Sequence, residues 1–145
     1  VFIIDDFVDL AMAVDADGVH IGQTDLPPQV VRQLIGDDKI IGLSTHGEEQ
    51  LLKANTLGDI IDYIGVGPVY ATQTKKTAKP VGFSYVEYAA KNSQHPFVAI
   101  GGIKEHNICD VAAHGATTFA IVSEIVGAED IAGKIKSIEN TLKSR

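Results

Sequence analysis

Short apolar runs recur along the chain, and each is followed by a polar turn and then by a segment with helical periodicity. This order is typical of βα units built around a parallel sheet. The runs are apolar almost throughout rather than at alternate positions, which indicates strands that are covered on both faces. The predicted strands span residues 1–4, 18–21, 40–43, 63–66, 97–100 and 118–122.

The segments between the strands are predicted to be amphipathic helices, because their apolar residues recur at steps of three and four. In the first helix the predicted apolar face comprises Phe7, Leu10, Ala11 and Val14. In the last helix it comprises Ile131, Ile135, Ile138 and Leu142.

Six βα units in tandem, with no linker between them, predict a single α/β domain over residues 1–145. The expected fold is a TIM barrel, (β/α)8, from which the first two βα units are absent. The chain starts inside a predicted strand and without methionine, so we expect it to be part of a longer protein. An open dinucleotide-binding sheet is not supported, because no GxGxxG motif follows any strand.

Composition narrows the expected partners and compartment. The net charge is −7 and the chain has no broad basic patch, which argues against a nucleic-acid or membrane-surface partner. No apolar run approaches the length of a membrane span. Cys109 is the only cysteine, which excludes an intrachain disulfide and fits the reducing cytoplasm. A monomer and a homodimer are both compatible with these features.

Polar residues follow the predicted strands at the point where each strand ends. In a TIM barrel the C-terminal ends of the strands converge on one mouth, where the active site is built. We therefore expect these residues to share one rim. They are Asp5, Asp6, Gln23, Asp25, Ser44, His46, Gly101, Gly102 and Ser123, together with residues 67–75.

The segment from Gly65 to Lys76 has a composition suited to binding phosphate. Gly67 would let a ligand approach the backbone, Thr72 and Thr74 can donate hydrogen bonds, and Lys75 supplies positive charge. An ordinary surface loop has the same composition, so the segment alone leaves both interpretations open.

Two aspartates are candidate metal ligands. Asp6 and Asp25 follow successive strands, so their carboxylates are expected to be neighbours at the mouth of the barrel. Two such oxygen ligands and a substrate phosphate are a typical way to hold Mg²⁺. Helix capping is the alternative role, especially for Asp25, which comes shortly before Pro27 and Pro28.

A second candidate phosphate site lies near the end of the chain. Gly101 and Gly102 follow one strand and Ser123 follows the next, where barrels commonly bind phosphate through backbone N–H groups. A tight left-handed turn would explain the two glycines equally well.

The histidines give a weaker signal. His20 lies inside a predicted strand and is expected to be a hydrogen-bonded core group. His46 is expected to line a polar pocket, although Ser44 and His46 without a placed acid do not form a hydrolase triad.

Several motifs together resemble thiamine-phosphate synthase along the full length of the chain. The Gly-x-His-x-Gly-Gln-x-Asp and Gly-Pro-x-x-x-Thr-x-Thr-Lys-Lys patterns are specific in combination, whereas Gly-Gly-Ile is common among phosphate-binding barrels. The matching stretches are residues 18–23 with 25–27, 41–46, 65–76 and 99–103.

The resemblance implies a TIM-barrel transferase of thiamine biosynthesis. Such an enzyme joins hydroxymethylpyrimidine diphosphate to hydroxyethylthiazole phosphate and releases diphosphate, by dissociative displacement at the pyrimidine methylene. The implied cofactor is Mg²⁺, held by Asp6 and Asp25. The implied catalytic residues are Lys75 and Ser44, with Lys75 stabilising the departing diphosphate.

The resemblance also assigns each substrate its own contacts. The pyrimidine diphosphate is expected to contact Asp5, Ser44 and Lys75. The thiazole phosphate is expected to contact Thr72, Gln73, Thr74, Gly102, Val122 and Ser123.

The chain departs from the family pattern in three respects. Asp5 stands where Asn is usual and Phe7 where Arg is frequent, so negative charge is gained beside the metal position and positive charge is lost. The family's basic diphosphate-binding motif after the second barrel strand is not in this chain. We therefore expect this chain by itself to be an incomplete enzyme.

Two other functions are alternatives at this point. A thiazole tautomerase of the same barrel family would need a proton-transfer residue and no Mg²⁺ pair, so Asp25 and the Thr-x-Thr-Lys motif count against it. A fragment that binds phosphates without turnover is the other alternative.

Overall fold

The computed structural model describes residues 1–72 and 79–144. In this part of the chain six parallel strands form one sheet in the order in which they occur in the sequence. The strands are Ile3–Asp5 (β1), Gly18–Ile21 (β2), Ile40–Thr45 (β3), Tyr63–Val66 (β4), Phe97–Ile100 (β5) and Phe119–Ala120 (β6).

Helices follow every strand and complete the βα pattern, so the α/β prediction is confirmed and the architecture is that of an open, TIM-like barrel segment with six strands in the described residues. The helices are Val8–Ala13 (α1), Pro28–Ile35 (α2), Glu48–Asn55 (α3), Gly82–Asn92 (α4), Ile108–Ala113 (α5), Ser123–Val126 (α6) and Ile131–Lys143 (α7). No helix in residues 1–72 and 79–144 combines the length and apolarity that crossing a membrane requires.

The predicted strand bounds are correct for β2, β4 and β5 and shift at the other three strands. The first strand starts at Ile3 and includes Asp5, and the third continues to Thr45. The last strand is only two residues long. Because Asp5, Ser44 and Thr45 belong to strands, their positions are fixed by the sheet rather than by loops.

The two faces of the sheet differ in character. Successive right-handed crossovers between strands in sequential order place all the helices on one face. On that face the strands bury their apolar side chains against residues such as Val31, Leu51, Val86 and Val111 of the helices. The strand residues of this core include Val19, Ile21, Ile41, Leu43, Ile64, Val66 and Ala99.

Alternate strand residues point to the opposite side, because side chains in a strand alternate between faces. We call this side the inner face, defined by His20, Gly42, Ser44, Tyr63 and Gly65, which are in register across β2, β3 and β4. The inner face is polar or without side chains at these positions, so the strands are less uniformly apolar than their sequence runs indicate.

The predicted apolar face of the first helix is mostly wrong. α1 buries Val8 and Ala11, whereas Phe7, Leu10 and Val14 are exposed. Apolar residues lie almost all the way around this short segment, so periodicity alone did not identify the side that meets the sheet.

The last helix follows its prediction only in part. In α7 Ile138 is buried and Leu142 packs against the core, while Ile131 and Ile135 are 48% and 41% exposed. α1 follows the first strand and α7 follows the last strand, so both sets of exposed apolar side chains lie at the edges of the sheet.

Candidate active site

The ends of the first strands bring the predicted acidic residues to one edge of the sheet. Asp5 ends β1 in register with His20, and the Asp6 N–H donates to the His20 carbonyl oxygen at 2.8 Å. Asp25 lies in the loop after β2, the neighbouring strand. The two candidate metal ligands thus emerge from adjacent strand ends, and their binding of metal stays a prediction.

The Asp6 backbone has an unusual conformation. Its φ is 66°, and the Phe7 N–H donates across it to the Asp5 carbonyl oxygen at 2.8 Å. This pattern matches a γ-turn with positive φ, which is rare and strained outside glycine. Such strain is concentrated at functional sites, and nothing in the sequence signalled it, although Asp tolerates positive φ better than most residues.

The structure gives Asp25 a role different from helix capping. Its Oδ2 accepts a hydrogen bond from the Gly22 N–H at 2.6 Å, and its own N–H donates to the Gly22 carbonyl oxygen at 3.3 Å. The N-cap of α2 is Pro27, without a side-chain cap. The capping alternative for Asp25 is therefore wrong, and its carboxylate instead closes the turn after β2.

The donor chemistry of the pair fits Mg²⁺. Carboxylate oxygens are hard ligands, and Mg²⁺ usually keeps several waters and takes only one or two carboxylates beside substrate phosphates. Among residues 1–72 and 79–144, no three His, Cys, Asp or Glu side chains gather into a potential metal centre. A magnesium ion held by Asp6 and Asp25 would therefore complete its coordination with water and phosphate oxygen.

The inner face carries a connected set of polar side chains. His20 Nδ1 lies 2.9 Å from the Tyr63 hydroxyl, and His20 Nε2 lies 2.8 Å from Ser44 Oγ. The Gln23 side-chain amide donates to the Ser44 carbonyl oxygen at 2.7 Å. The prediction that His20 is hydrogen-bonded is confirmed, but His20 is only half-buried and lies on the inner face rather than in the core. The contact brings the candidate catalytic residue Ser44 into the same set.

Tyr63 was not among the sequence-predicted site residues. Burial, reinforced by the negative charge of Asp5, raises the pKa of Tyr63 above its ordinary value of 10.0, so the phenol keeps its proton. Asp5 is in register with His20 across β1 and β2, so its side chain points to the inner face as well. Two strand glycines are the sequence signal that could have found Tyr63. Gly42 is in register with Tyr63 and Gly65 with Ser44, so both leave room beside these side chains.

The stretch after β4 is held against β5. The Val69 N–H donates to the Ile100 carbonyl oxygen at 2.9 Å, and the Tyr70 N–H donates to the Gly101 carbonyl oxygen at 3.0 Å. A Cβ on Gly67 would lie 2.2 Å from the Ile100 carbonyl oxygen. The structure thus explains Gly67 by the close approach of β5 rather than by the approach of a ligand, which corrects the sequence interpretation.

Gly101 and Gly102 adopt the left-handed conformation that the turn alternative requires, with φ of 99° and 66°. A Cβ on Gly101 would lie 2.3 Å from Pro68 Cβ, and one on Gly102 would lie 2.8 Å from Tyr70 Cβ. Conformation and close packing therefore account for both glycines, and their contact with phosphate stays a prediction.

The remaining predicted substrate contacts are distributed as follows. Thr72 is half-buried two residues after Tyr70, while Gln73, Thr74 and Lys75 lie outside the described residues. Val122 and Ser123 are exposed at the start of α6. The structure leaves the roles of all of them as predictions.

His46 lines a cleft of about 630 Å³ together with Glu48, Lys79, Ser84 and Tyr85. Its Nδ1 lies 2.6 Å from the Gly67 carbonyl oxygen, which fixes the ring at the end of β3. The prediction that His46 borders a pocket is confirmed, but the pocket is not mainly polar, because Pro68, Pro80 and Val81 also line it.

An ion-pair cluster ties the loop after β5 to α6 and α7. Lys134 Nζ lies 2.8 Å from Glu105 Oε2 and 3.6 Å from Glu124 Oε1, and Glu124 Oε2 accepts from the Glu105 N–H at 2.8 Å. The Lys134 ammonium and the Ser137 hydroxyl lower the pKa of Glu105, and Glu105 raises the pKa of Lys134. Because Glu124 is the second residue of α6, this cluster holds the start of α6, where Ser123 lies, against α7.

We expect Glu105→Gln to lower the free energy of unfolding of the full-length protein at neutral pH. In acid the difference between wild type and variant should disappear. The lowered pKa of Glu105 means that its contribution is present above about pH 4.5, the ordinary value, and is lost as pH falls through the folded-state pKa. Urea denaturation of wild type and variant between pH 7 and pH 3 measures the difference. The exposed Glu129→Gln is the matched control, and a difference that stays constant with pH would contradict the assignment.

The chain has extensive sequence similarity to known proteins. The family model described as thiamine monophosphate synthase matches residues 1–125. A thiamine-phosphate synthase of Pelotomaculum thermopropionicum is 58% identical over 138 residues, which are 94% of this chain and 62% of that protein. One from Caldicellulosiruptor bescii is 53% identical over 143 residues, covering 98% of this chain and 64% of that protein.

A solved structure agrees with these sequence relatives. The thiamine phosphate pyrophosphorylase of Pyrococcus furiosus superposes with a TM-score of 0.87 at 35% identity, over 99% of this chain and 68% of that one. The chain thus spans a little under two thirds of the length of the curated relatives given above. With a family model over most of its residues and relatives more than half identical, the chain belongs to the thiamine monophosphate synthase family.

Proposed function

We propose that the full-length protein joins hydroxymethylpyrimidine diphosphate to hydroxyethylthiazole phosphate, giving thiamine phosphate and diphosphate in thiamine biosynthesis. The observation that carries this proposal is the 58% identity to a relative named thiamine-phosphate synthase, over 94% of this chain. The arrangement of Asp6, Asp25 and Ser44 at the ends of three adjacent strands supports it. The comparisons lend no support to the thiazole tautomerase alternative.

The reaction places particular demands on the site. The bond between the pyrimidine methylene carbon and the diphosphate oxygen breaks, and its electron pair leaves with the diphosphate. The thiazole nitrogen then donates its lone pair to the methylene carbon and forms the new C–N bond. This nitrogen carries no proton, so the step needs no general base.

The residues of this chain would act mainly by holding charge and orientation. Lys75 supplies a positive charge for the departing diphosphate, and Asp6 and Asp25 supply the oxygen ligands for Mg²⁺. When bound, Mg²⁺ stabilises negative charge on the leaving diphosphate. Ser44 and Asp5 contact the pyrimidine diphosphate, and Thr72, Gln73, Thr74, Gly102, Val122 and Ser123 hold the thiazole phosphate.

Holding both substrates by their phosphates brings the thiazole nitrogen close to the methylene carbon. Such positioning converts an encounter of two molecules into a step within one complex, which is worth several kcal/mol of barrier, roughly 7–11 in favourable cases. The proposal places the enzyme in the cytoplasm, with two small phosphorylated substrates and no nucleic-acid or membrane partner, as a monomer or homodimer.

The test is formation of thiamine phosphate by the full-length protein from the two phosphorylated precursors, with Mg²⁺ and with a chelator. We expect product with Mg²⁺ and none with chelator. No product from folded protein under either condition would contradict the proposed function. Binding of the pyrimidine diphosphate that depends on Mg²⁺, without turnover, would instead indicate a non-catalytic phosphate-binding protein.

A further inference from the structure

The inner face contains a hydrogen-bonded series that the proposed chemistry does not yet use. It runs from the Tyr63 hydroxyl through the His20 imidazole to the Ser44 hydroxyl, with contacts of 2.9 and 2.8 Å. The three residues come from β4, β2 and β3, so the series crosses three adjacent strands on one side of the sheet.

The sheet is built to accommodate the His20 ring. A Cβ on Gly42 would lie 2.4 Å from His20 Nδ1 and 2.2 Å from Tyr63 Cζ. A Cβ on Gly65 would lie 3.3 Å from His20 Cε1. Glycine within a strand is unfavourable by roughly 0.5–1 kcal/mol relative to alanine. Gly42 and Gly65 therefore lower the stability of their strands but leave room for the His20 ring above the sheet.

The contacts constrain the protons. A neutral imidazole has one N–H donor and one acceptor nitrogen, and the hydrogen bond at one nitrogen decides the state of the other. The phenol of Tyr63 remains protonated and can donate to His20 Nδ1. If the Tyr63 hydroxyl donates to Nδ1, a neutral His20 carries its proton on Nε2 and donates it to Ser44 Oγ, 2.8 Å away.

This direction decides what Ser44 can do. If Ser44 Oγ accepts from His20, the Ser44 proton is directed to another acceptor, such as a ring nitrogen or phosphate oxygen of a ligand. If Ser44 instead donated to His20, no Ser44 proton would remain for a ligand. The Gln23 amide fixes the Ser44 backbone at the same time, through its carbonyl oxygen.

We propose that His20, oriented by Tyr63, is a positioning residue that fixes the Ser44 hydroxyl as a hydrogen-bond donor toward the pyrimidine diphosphate. The identity of this ligand rests on the proposed function, whereas the direction of the hydrogen bonds does not. His20 acts through Ser44 and does not itself touch the substrate.

The first experiment measures the direction of the hydrogen bonds without any activity. ¹⁵N NMR of the histidines in the full-length protein distinguishes a protonated from an unprotonated Nε2, and His20→Gln assigns the signal. We expect a protonated Nε2 in wild type and a mixture of tautomers in Tyr63→Phe. An unprotonated Nε2 at His20 in wild type would overturn the proposal.

The second experiment is a double-mutant cycle on kcat/KM for the pyrimidine diphosphate. Loss of one such hydrogen bond should lower kcat/KM about five- to tenfold in His20→Gln and somewhat less in Tyr63→Phe. In His20→Gln/Ser44→Ala the loss should equal that of Ser44→Ala alone, because His20 acts only through Ser44. KM for the thiazole phosphate should not change.

A histidine with a structural role elsewhere provides the matched control. His95 contacts the Ala54 carbonyl oxygen through Nε2 at 3.1 Å, just before β5 and thus at the opposite end of the strands, and His95→Gln should leave kcat/KM unchanged. Additive losses in the double variant would overturn the positioning role. Wild type without product would refute the proposed function, and the NMR result would still decide the direction of the hydrogen bonds.

Discussion

Replacement of Asp25 by Asn in the full-length protein should lower kcat/KM about 10²–10³-fold without unfolding it, the loss typical when one group that stabilises transition-state charge is removed. The variant should stay folded because the amide oxygen of the introduced asparagine can still accept a hydrogen bond from the Gly22 N–H, as Asp25 Oδ2 does at 2.6 Å. The turn after β2 is therefore preserved, and only the negative charge available to Mg²⁺ is lost.

Steady-state formation of thiamine phosphate at increasing Mg²⁺ measures this effect. The Mg²⁺ concentration for half-maximal rate should rise in Asp25→Asn, because one charged ligand is missing. Asp37→Asn is the matched control, since Asp37 is exposed after α2, between that helix and the start of β3. If kcat/KM of Asp25→Asn stayed within about twofold of the wild-type value, Asp25 would not be a ligand of the metal.

Leu51→Ala should lower the free energy of unfolding by about 2–5 kcal/mol, the usual cost of emptying a buried leucine site. Leu51 is fully buried in the core between α3 and the sheet, with 0% of its surface exposed. The lost side chain leaves a cavity whose walls lose van der Waals contacts, because the surrounding strands and helices relax only partly.

The adjacent residue provides a control with the same chemistry. Leu52 lies on the same helix and is 51% exposed, so Leu52→Ala should change stability by only about 0.5 kcal/mol or less. Urea denaturation of the full-length protein compares the two variants through their midpoints, provided that the slopes are equal. Equal losses for both variants would contradict the assigned core.

The sequence was sufficient for the architecture because its signals were local and repeated. Apolar runs identified the positions of all six strands, and the residues after them identified the edge at which Asp6, Asp25 and Ser44 lie. The helix faces were less predictable. The apolar residues of α1 surround the helix, so its orientation depends on which side meets the sheet, and this is a tertiary property.

The sequence predicted where the site residues lie, but not which hydrogen bonds they form with one another. The positive φ of Asp6 has no sequence signal of its own, because Asp6 is held by its bond to His20 on the neighbouring strand. The bond from Gly22 to Asp25 lies within the turn after β2, but the sequence leaves open whether the Asp25 carboxylate closes this turn or caps α2. Likewise, residues 20, 44 and 63 are far apart in sequence and become neighbours only through the register of the parallel strands. Such contacts require the register, which composition and periodicity do not determine.

The two faces of the sheet are open to different kinds of evolutionary change. The side that packs against the helices contains residues such as Val19, Ile41 and Ile64, all with 0% exposure, where most substitutions reduce folding itself. On the inner face we expect replacement of the polar side chains His20, Ser44 and Tyr63 to alter binding more than folding, whereas Gly42 leaves no room for a Cβ. Substitutions at the polar positions of the inner face can therefore change what the barrel binds, while the helix-covered face stays constant because it determines folding.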